Sequence, residues 1–212
     1  KAVLVEKEIT GDEISVDSIV INGIVYPCGI SDRKFMEKNK YAIQTGSVTP
    51  SSLSPKIQSN VYKIMQEAAK ALKIDNGAFK GDLVVNGNDK IGVIEFAGRT
   101  SGGFDSQYRK PLSFGINLIK SVLDLSLGIE VDFRDLIPKW TMWSSTFSII
   151  TETGEISEIN GFDKCLTIKG VHKGFMTSKV GDTVTQMTNC AQRSNYFICV
   201  GNSLEELKRI EE

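Results

Sequence analysis

Asp82 and Glu95 are the residues of this chain best spaced to act together. They lie on two short runs, GAFKGDLVV (77–85) and KIGVIEF (90–96), which read as the strands of one hairpin around Asn86-Gly87-Asn88-Asp89. If Asn86 pairs with Ile91, Asp82 faces Glu95 and both point to the same side of the sheet. Opposed carboxylates repel. A cation relieves them, and hard divalent ions such as Mg²⁺ take one or two carboxylates together with phosphate oxygens. Arg99 and the flexible Ser101-Gly102-Gly103 follow at once. The alternative is two solvated acids on an exposed sheet face.

The same register puts Phe79, Leu83, Val85, Ile94 and Phe96 on the opposite face, an apolar surface that pins the pairing. The elements around the hairpin read as follows. AVLVEKEI and EISVDSIVI are strand-like, and Asn22-Gly23 turns the chain into IVYPCGI. Residues 31–52 are polar and broken by Gly46 and Pro50, the pattern of a long loop. Ser54 and Pro55 then open a helix with Ile57, Val61, Ile64, Ala68 and Leu72 at helical spacing. LSFGINLIKSVLDLSLG (112–128) reads as a second, buried helix ending at Gly128. This β-β-α-β-β-α order predicts an α+β layer, an antiparallel sheet with helices on one face and the acids on the free one.

After about residue 138 the runs TMWSSTFSII, EISEI, CLTIKG, DTVTQM and YFICVG predict a small β-rich unit. A last helix, SLEELKRIEE, begins at a Ser203 cap with Glu206 three residues on. The expected division is 1–128 and 129–212.

At 212 residues, 41% hydrophobic and 24% charged, the chain has the composition of an ordinary globular protein. A net charge of −1 without a basic stretch argues against nucleic acid as a partner. No apolar run approaches the roughly 20 residues of a membrane span. Cys28, Cys165, Cys190 and Cys199 are scattered singly, and His172, the one histidine, sits in the loop-like KGVHKGF as a surface residue. Zinc chemistry and a Ser-His-Asp relay therefore have little support, and a reducing, cytoplasmic setting fits the cysteines. The start at Lys1, without methionine and almost inside a strand-like run, has the look of a cut through a longer protein.

VEKEITGDEISVD (5–17), GDLVV and VIEFAGRTSGG, in this order and separation, resemble the second half of the ATP-grasp domain. The tail VGDTVTQMTNCAQRSNYFICVGNSLEELKRI resembles the β-rich C-terminal domain of ATP-grasp carboxylate-amine ligases of the L-amino-acid ligase and carbamoyl-phosphate-synthase-like groups. The resemblance implies an enzyme that activates a small carboxylate with ATP as an acylphosphate and passes it to an amine. ATP and Mg²⁺, with Mn²⁺ as an alternative ion, are the implied cofactors. A homodimer is compatible with the sequence, which does not decide the assembly.

Residue by residue, the resemblance implies that Glu6, Lys7, Glu8 and Ile9 meet adenine and that Glu13 takes the ribose hydroxyls. Asp82 and Glu95 become the magnesium ligands, Arg99 the cation at the transferring phosphoryl group, and Ser101, Gly102 and Gly103 a loop offering backbone N–H groups to substrate. Two departures stand out. Ala97 occupies the position two beyond the second acid where the family usually has a ligating asparagine. The glycine-rich phosphate cover and first domain of the family find no counterpart in the sequence, and no G-x-x-x-x-G-K-[ST] motif replaces them. Little or no ligase activity is therefore expected of this chain alone. Two other readings stay open: a non-catalytic nucleotide-binding or assembly module with a degenerate metal site, and an α+β domain without nucleotide function.

Overall fold

Strands β1 (Asp12–Ile21) and β2 (Ile24–Phe35) meet across Asn22-Gly23, both residues at positive φ, the conformation a two-residue hairpin needs. The computed structural model describes residues 2–37 and 40–212. Lys1, the expected cut, and Lys38 and Asn39, inside the expected loop, lie outside it. β2 runs on to Phe35, and β3 (Gln44–Thr49) pairs with it through Asp32 and Val48 and through Arg33 and Ser47. This corrects the loop expected over 31–52. Asp32, Lys34 and Gly46 share the face opposite Arg33 and Ser47, so neither face carries an apolar run for an alternation reading to find.

The run before β1 is a correction in the other direction. Residues 2–10 form no strand, and Val3, Leu4 and Val5 are more than four-fifths exposed. Without a neighbour to pair with, β-branched side chains gain nothing from a pleated backbone.

Ser54 accepts a hydrogen bond from Ile57 N (3.4 Å) and caps α1 (Pro55–Ala71). The buried stripe is Ile57, Val61, Met65 and Ala69, so Leu72, expected inside, is exposed. β4 (Gly77–Val85) and β5 (Ile91–Ala97) form the expected hairpin with a one-residue difference at its tip: Val85, not Asn86, pairs with Ile91. A bulge between Asp82 and Leu83 absorbs the difference and restores Asp82 opposite Glu95. Its extra residue, Ile94, is consequently 46% exposed and does not join Phe79, Leu83 and Val85 in the core.

The expected helix over 112–128 is two. A π-helical turn, Asp105–Arg109, leads into α2 (Lys110–Phe114), which stops at Gly115 with φ 68°. A Cβ there would lie 2.8 Å from Trp140. α3 (Leu118–Ser126) restarts behind Asn117, whose side chain accepts from Lys120 N at 3.2 Å.

The remaining elements are β6 (Trp143–Ile149), β7 (Gly154–Glu155), α4 (Phe162–Leu166), β8 (Val171–Phe175), β9 (Thr183–Val184), β10 (Ser194–Gly201) and α5 (Leu204–Glu211). CLTIKG, expected as a strand, begins inside α4, and KGVHKGF, expected as a loop, holds β8. Ser203 caps α5 by accepting from Glu206 N (3.1 Å), while the Glu206 carboxylate takes Asn202 N.

Eight strands form one antiparallel sheet in the order β5-β4-β1-β2-β3-β6-β10-β8, and β7 pairs with β9 in a ribbon. The α+β class with a dominant antiparallel sheet is as expected. α1 packs on one face against Ile14, Val16, Phe79 and Leu83, and Leu207 of α5 joins Val48, Phe197 and Cys199 at the β-rich end of that face. The other face is apolar only around Ile19, Cys28, Ile116 and Leu118, under α3. Elsewhere it is polar, and part of it stays open as a cleft. Among the described residues no helix is long and apolar enough to cross a membrane, and all four cysteines are free thiols.

Candidate functional site

The odd-numbered residues of β1 carry the polar face. Ser15 pairs with Ser31 on β2 and with Asp82 on β4, and Asp82 pairs with Glu95 on β5. Paired residues point to the same side, so one row of polar side chains crosses four strands. Above it lies a cleft of about 330 Å³. Asp82, Glu95, Arg99, Ser101, Gly102 and Gly103 all line it, as expected for one site.

The acid pair is less bare than expected. Lys80 Nζ donates to Asp82 Oδ2 and lies 3.6 Å from Glu95 Oε1. Arg33 Nη1 reaches Glu13 Oε2 at 3.0 Å and Asp82 Oδ2 at 3.5 Å, and Arg99 Nη2 lies 3.5 Å from Glu95 Oε1. Lys80 was legible, since it stands two residues before Asp82 and strand side chains alternate with period two. Arg33 lay in the expected loop and gave no signal.

The cations leave one atom unserved. Asp82 Oδ1 is buried and has no hydrogen-bond partner among the described residues. Such an atom is costly unless something binds it. Glu95, opposite, has a half-exposed side chain open to the cleft. Among the described residues no three His, Cys, Asp or Glu side chains are grouped to hold a metal, and Ala97 adds no ligand. The set therefore fits Mg²⁺ shared with phosphate oxygens and water, and does not fit an all-protein cage.

Glu13 is half-buried on β1; burial raises its pKa, Arg33 opposes the rise and Asp82 adds to it. It stands beside the cleft through Arg33 rather than in its wall. Glu6, Lys7 and Glu8 are exposed and do not line the cleft. Ile9 lies over β5, where a Cβ on Gly92 would come within 2.9 Å of it.

Ser101 has a different place from the one expected. Its N–H donates to Asp17 Oδ1 (2.8 Å), its hydroxyl meets Ser15 Oγ (3.2 Å), and its carbonyl accepts from Ser106 Oγ (2.8 Å). With that N–H engaged, and with Gly102 O accepting from Asp105 N (3.2 Å), the N–H groups that the loop can offer the cleft are those of Gly102 and Gly103. Phe104 follows at φ 66° and stacks on Phe175 of β8, with ring centroids 4.3 Å apart, which ties the loop to the β-rich end.

Beneath the loop is a buried charge cluster that the sequence reading missed. Asp105 Oδ1 pairs with Arg109 Nη2 (3.1 Å), Asp105 Oδ2 lies 3.8 Å from Lys110 Nζ, and Lys110 donates to Ser31 Oγ (2.8 Å) and Gly29 O (3.0 Å). Ser31 also shares a 2.7 Å hydrogen bond with Thr49 Oγ1. Burial, reinforced by the Asp105 charge, pushes the Asp17 pKa up to about 6; Lys110 and the bonds from Ser101 oppose it. Desolvation also works against the Arg109 charge, which Asp105 and Asp17 hold in place.

A sheet whose polar face pairs two acids with lysine and arginine over a cleft matches the comparisons with known proteins. Residues 1–107 match the ATP-grasp domain family, and residues 146–212 match the second C-terminal domain of L-amino acid ligases. The chain belongs to the ATP-grasp family. Among solved structures, L-amino acid ligase from Bacillus licheniformis superposes with a TM-score of 0.83 at 19% identity, over 96% of this chain and 53% of that one. Phosphoribosylglycinamide synthetase from Anaerococcus prevotii gives 0.79 at 18% identity, over 96% and 51%. A biotin carboxylase complex from Campylobacter jejuni gives 0.64 at 17%, over 93% and 43%. The chain thus spans about half the length of the first two of these structures. A search of curated proteins found no match.

Proposed function

We propose that this chain forms one wall of an ATP-dependent carboxylate-amine ligase. The observation that carries the reading is Asp82 Oδ1, buried and partnerless opposite Glu95, with Lys80 and Arg99 within 3.6 Å of the pair's other oxygens. In this reading Asp82 and Glu95 would hold Mg²⁺, which would supply charge neutralisation where phosphoryl charge develops. Lys80 and Arg33 hold Asp82 Oδ2 and so orient the carboxylate. Arg99 reaches into the cleft from a half-exposed position and steadies the acylphosphate formed when the substrate carboxylate oxygen attacks the γ-phosphorus and ADP leaves. Preorganised cations aimed at such developing charge are commonly the largest catalytic contribution.

Glu6, Lys7, Glu8 and Ile9 meet adenine along an extended segment, and Glu13, steered by Arg33, takes the ribose. Gly102 and Gly103 present backbone N–H groups to the small carboxylate. Residues 1–128 then carry the nucleotide half and residues 129–212 a β-rich unit joined to it through the β3–β6 pairing. With only one wall of the nucleotide site present, residues 1–212 alone turn over little. ADP release from them that depends on both a carboxylate and an amine would contradict this.

Equilibrium binding of Mg-ATP to the full-length protein tests the site. Asp82→Asn is expected to weaken Mg-ATP by at least tenfold, an effect of charge-assisted contacts worth roughly 1.5–3 kcal/mol, while metal-free ATP changes little. Unchanged Mg-ATP affinity would end the proposal. Ala97 favours a second reading, a nucleotide-binding module without turnover. Ala97→Asn separates the two, raising turnover in a weakened enzyme and leaving a decayed one silent.

A further inference from the structure

The wall of the cleft opposite the acid pair has its own unanswered chemistry. Arg109, at the end of the π-helical turn, has a side chain only 3% exposed. Its Nη2 serves Asp105 at 3.1 Å, while Nε and Nη1 have no partner among the described residues. Guanidinium N–H groups can only donate, and leaving them buried without an acceptor is costly. Two hydroxyls on β6, Thr146 Oγ1 and Ser148 Oγ, are also buried and also without a partner. They share a strand face with Ser144, whose Oγ donates to Arg109 O at 3.2 Å, so that face climbs from the Arg109 backbone. All three unanswered side chains line the cleft.

Arg193 lines the same cleft, held by its Nε on Cys190 O and its Nη1 on Gln44 O, both at 2.8 Å, with its guanidinium over Tyr196. Among the described residues no carboxylate pairs with it. The wall thus combines unused donors, hydroxyls free to donate and a cation without a counter-charge. A neutral acceptor would answer the donors but not the charge of Arg193, a cation would oppose that charge, and an oxyanion answers both. Strands β1, β2 and β3 separate β4 from β6, so at about 4.8 Å per strand this wall lies roughly 19 Å along the sheet from Asp82.

We infer that Arg109, Thr146, Ser148 and Arg193 seat an oxyanion, a carboxylate or phosphate, belonging to one of the molecules being joined and remote from the reacting carboxylate. That the anion belongs to a molecule being joined rests on the ligase reading, whereas the anion seat itself stands on the unanswered donors. A substrate of this site would accordingly carry an acidic group that is not consumed.

Titration of the protein with inorganic phosphate and, separately, with glutarate tests the seat, in EDTA and without nucleotide, followed by calorimetry or NMR. Saturable binding of at least one is expected, and whichever binds more tightly identifies phosphate or carboxylate as the preferred group. The double variant Thr146→Val/Ser148→Ala should weaken that binding about tenfold or more, because two hydrogen bonds to a charge disappear. Its denaturation midpoint should stay the same or rise, since neither hydroxyl has a partner among the described residues. Arg109→Lys keeps a charge beside Asp105 but loses the fork, and should weaken binding similarly; it serves where the double variant fails to fold.

Absence of saturable binding by either anion overturns the inference. So does binding that survives the wall variants but is lost in Arg99→Ala, which would place the anion on the phosphate platform. Mg-ATP binding separates this failure from that of the ligase reading. If Asp82→Asn abolishes Mg-ATP while no anion binds at Arg109, the seat is rejected and the ligase stands. Anion binding at Arg109 in a protein without Mg-ATP affinity supports the seat and rejects the ligase.

Discussion

The two faces of strand β1 obey different rules. Ile14 and Val16 point under α1 into a packed apolar layer, where their neighbours are Phe79, Leu83, Val61 and Met65. Ser15 and Asp17, one residue along, point into a polar layer where nearly every contact is a hydrogen bond or an ion pair. Stability resides mainly on the first face because apolar burial is additive and undirected. The second face is directional, and each group depends on the partner facing it. Its unanswered atoms include Asp82 Oδ1, Arg109 Nε and Nη1, Thr146 Oγ1 and Ser148 Oγ, which lie around the cleft, and Asp17 Oδ2, which does not line it. A protein that tolerates such atoms on one face needs the surplus of the other.

The largest effect should come from breaking the apolar face. Phe79 is fully buried, belongs to the α1 layer and stacks on Phe96 at 5.4 Å. Phe79→Ala should cost about 3–5 kcal/mol, lost transfer energy plus the cavity left behind, in denaturant unfolding. Anion and nucleotide affinities of the still-folded fraction should hold, because no cleft residue rests on that ring. A change in affinity without a change in stability would show that the two faces are not separable in this way.

This division also explains what was legible. Strand β1, the Asn22-Gly23 turn, α1 and the Asp82–Glu95 pairing follow from apolar alternation, cap chemistry and turn residues, which act locally. The end of β2 and all of β3 were missed because Asp32, Lys34 and Gly46 stand on the face opposite Arg33 and Ser47, so the apolar half of the alternation that marks a half-buried strand is absent. The bulge at Ile94 and the break at Gly115 depend on what packs across them, β4 in one case and Trp140 in the other. Within the site, the acids, Arg99 and the glycines were visible as neighbours in the chain. Lys110 and Asp105 were not singled out, since their roles come from contacts with Ser31 and Gly29, between 74 and 81 residues away in the sequence, and Arg109 takes its place from Asp105. Such pairings are decided by topology rather than by local pattern.

A middle-sized effect probes the polar face through pH. Asp17 has an ordinary pKa of 3.8 and a folded one of about 6. The sign follows from the neutral form being favoured in the fold. Its contribution is fully present below pH 3.8 and is lost as pH rises through about 6. At pH 8 the folded state therefore carries a penalty of about 2–3 kcal/mol relative to acid, at about 1.4 kcal/mol per unit. Asp17→Asn keeps an oxygen for the Ser101 N–H and cannot ionise. It should be more stable than the native protein at pH 8 and nearly equal to it at pH 4, in unfolding curves taken at both. Parallel pH profiles for the two proteins would mean that Asp17 is already neutralised by Lys110.

The smallest effect sharpens the comparison within the polar face itself, by setting two serines of similar burial against each other. Ser113 Oγ bonds Thr49 O at 3.1 Å and Ser144 Oγ at 2.7 Å, whereas Ser148 Oγ bonds nothing. Ser113→Ala removes the hydrogen-bond partner of Thr49 O and of Ser144 Oγ and should cost about 1–2 kcal/mol. Ser148→Ala removes an unsatisfied oxygen and should change stability by less than about 0.5 kcal/mol, or raise it. Equal costs would mean that the Ser148 hydroxyl is bonded in the free protein, by water if not by protein, and that its emptiness is no mark of a ligand. Unequal costs leave Ser148 as a group the fold does not use, beside a Ser113 that it does.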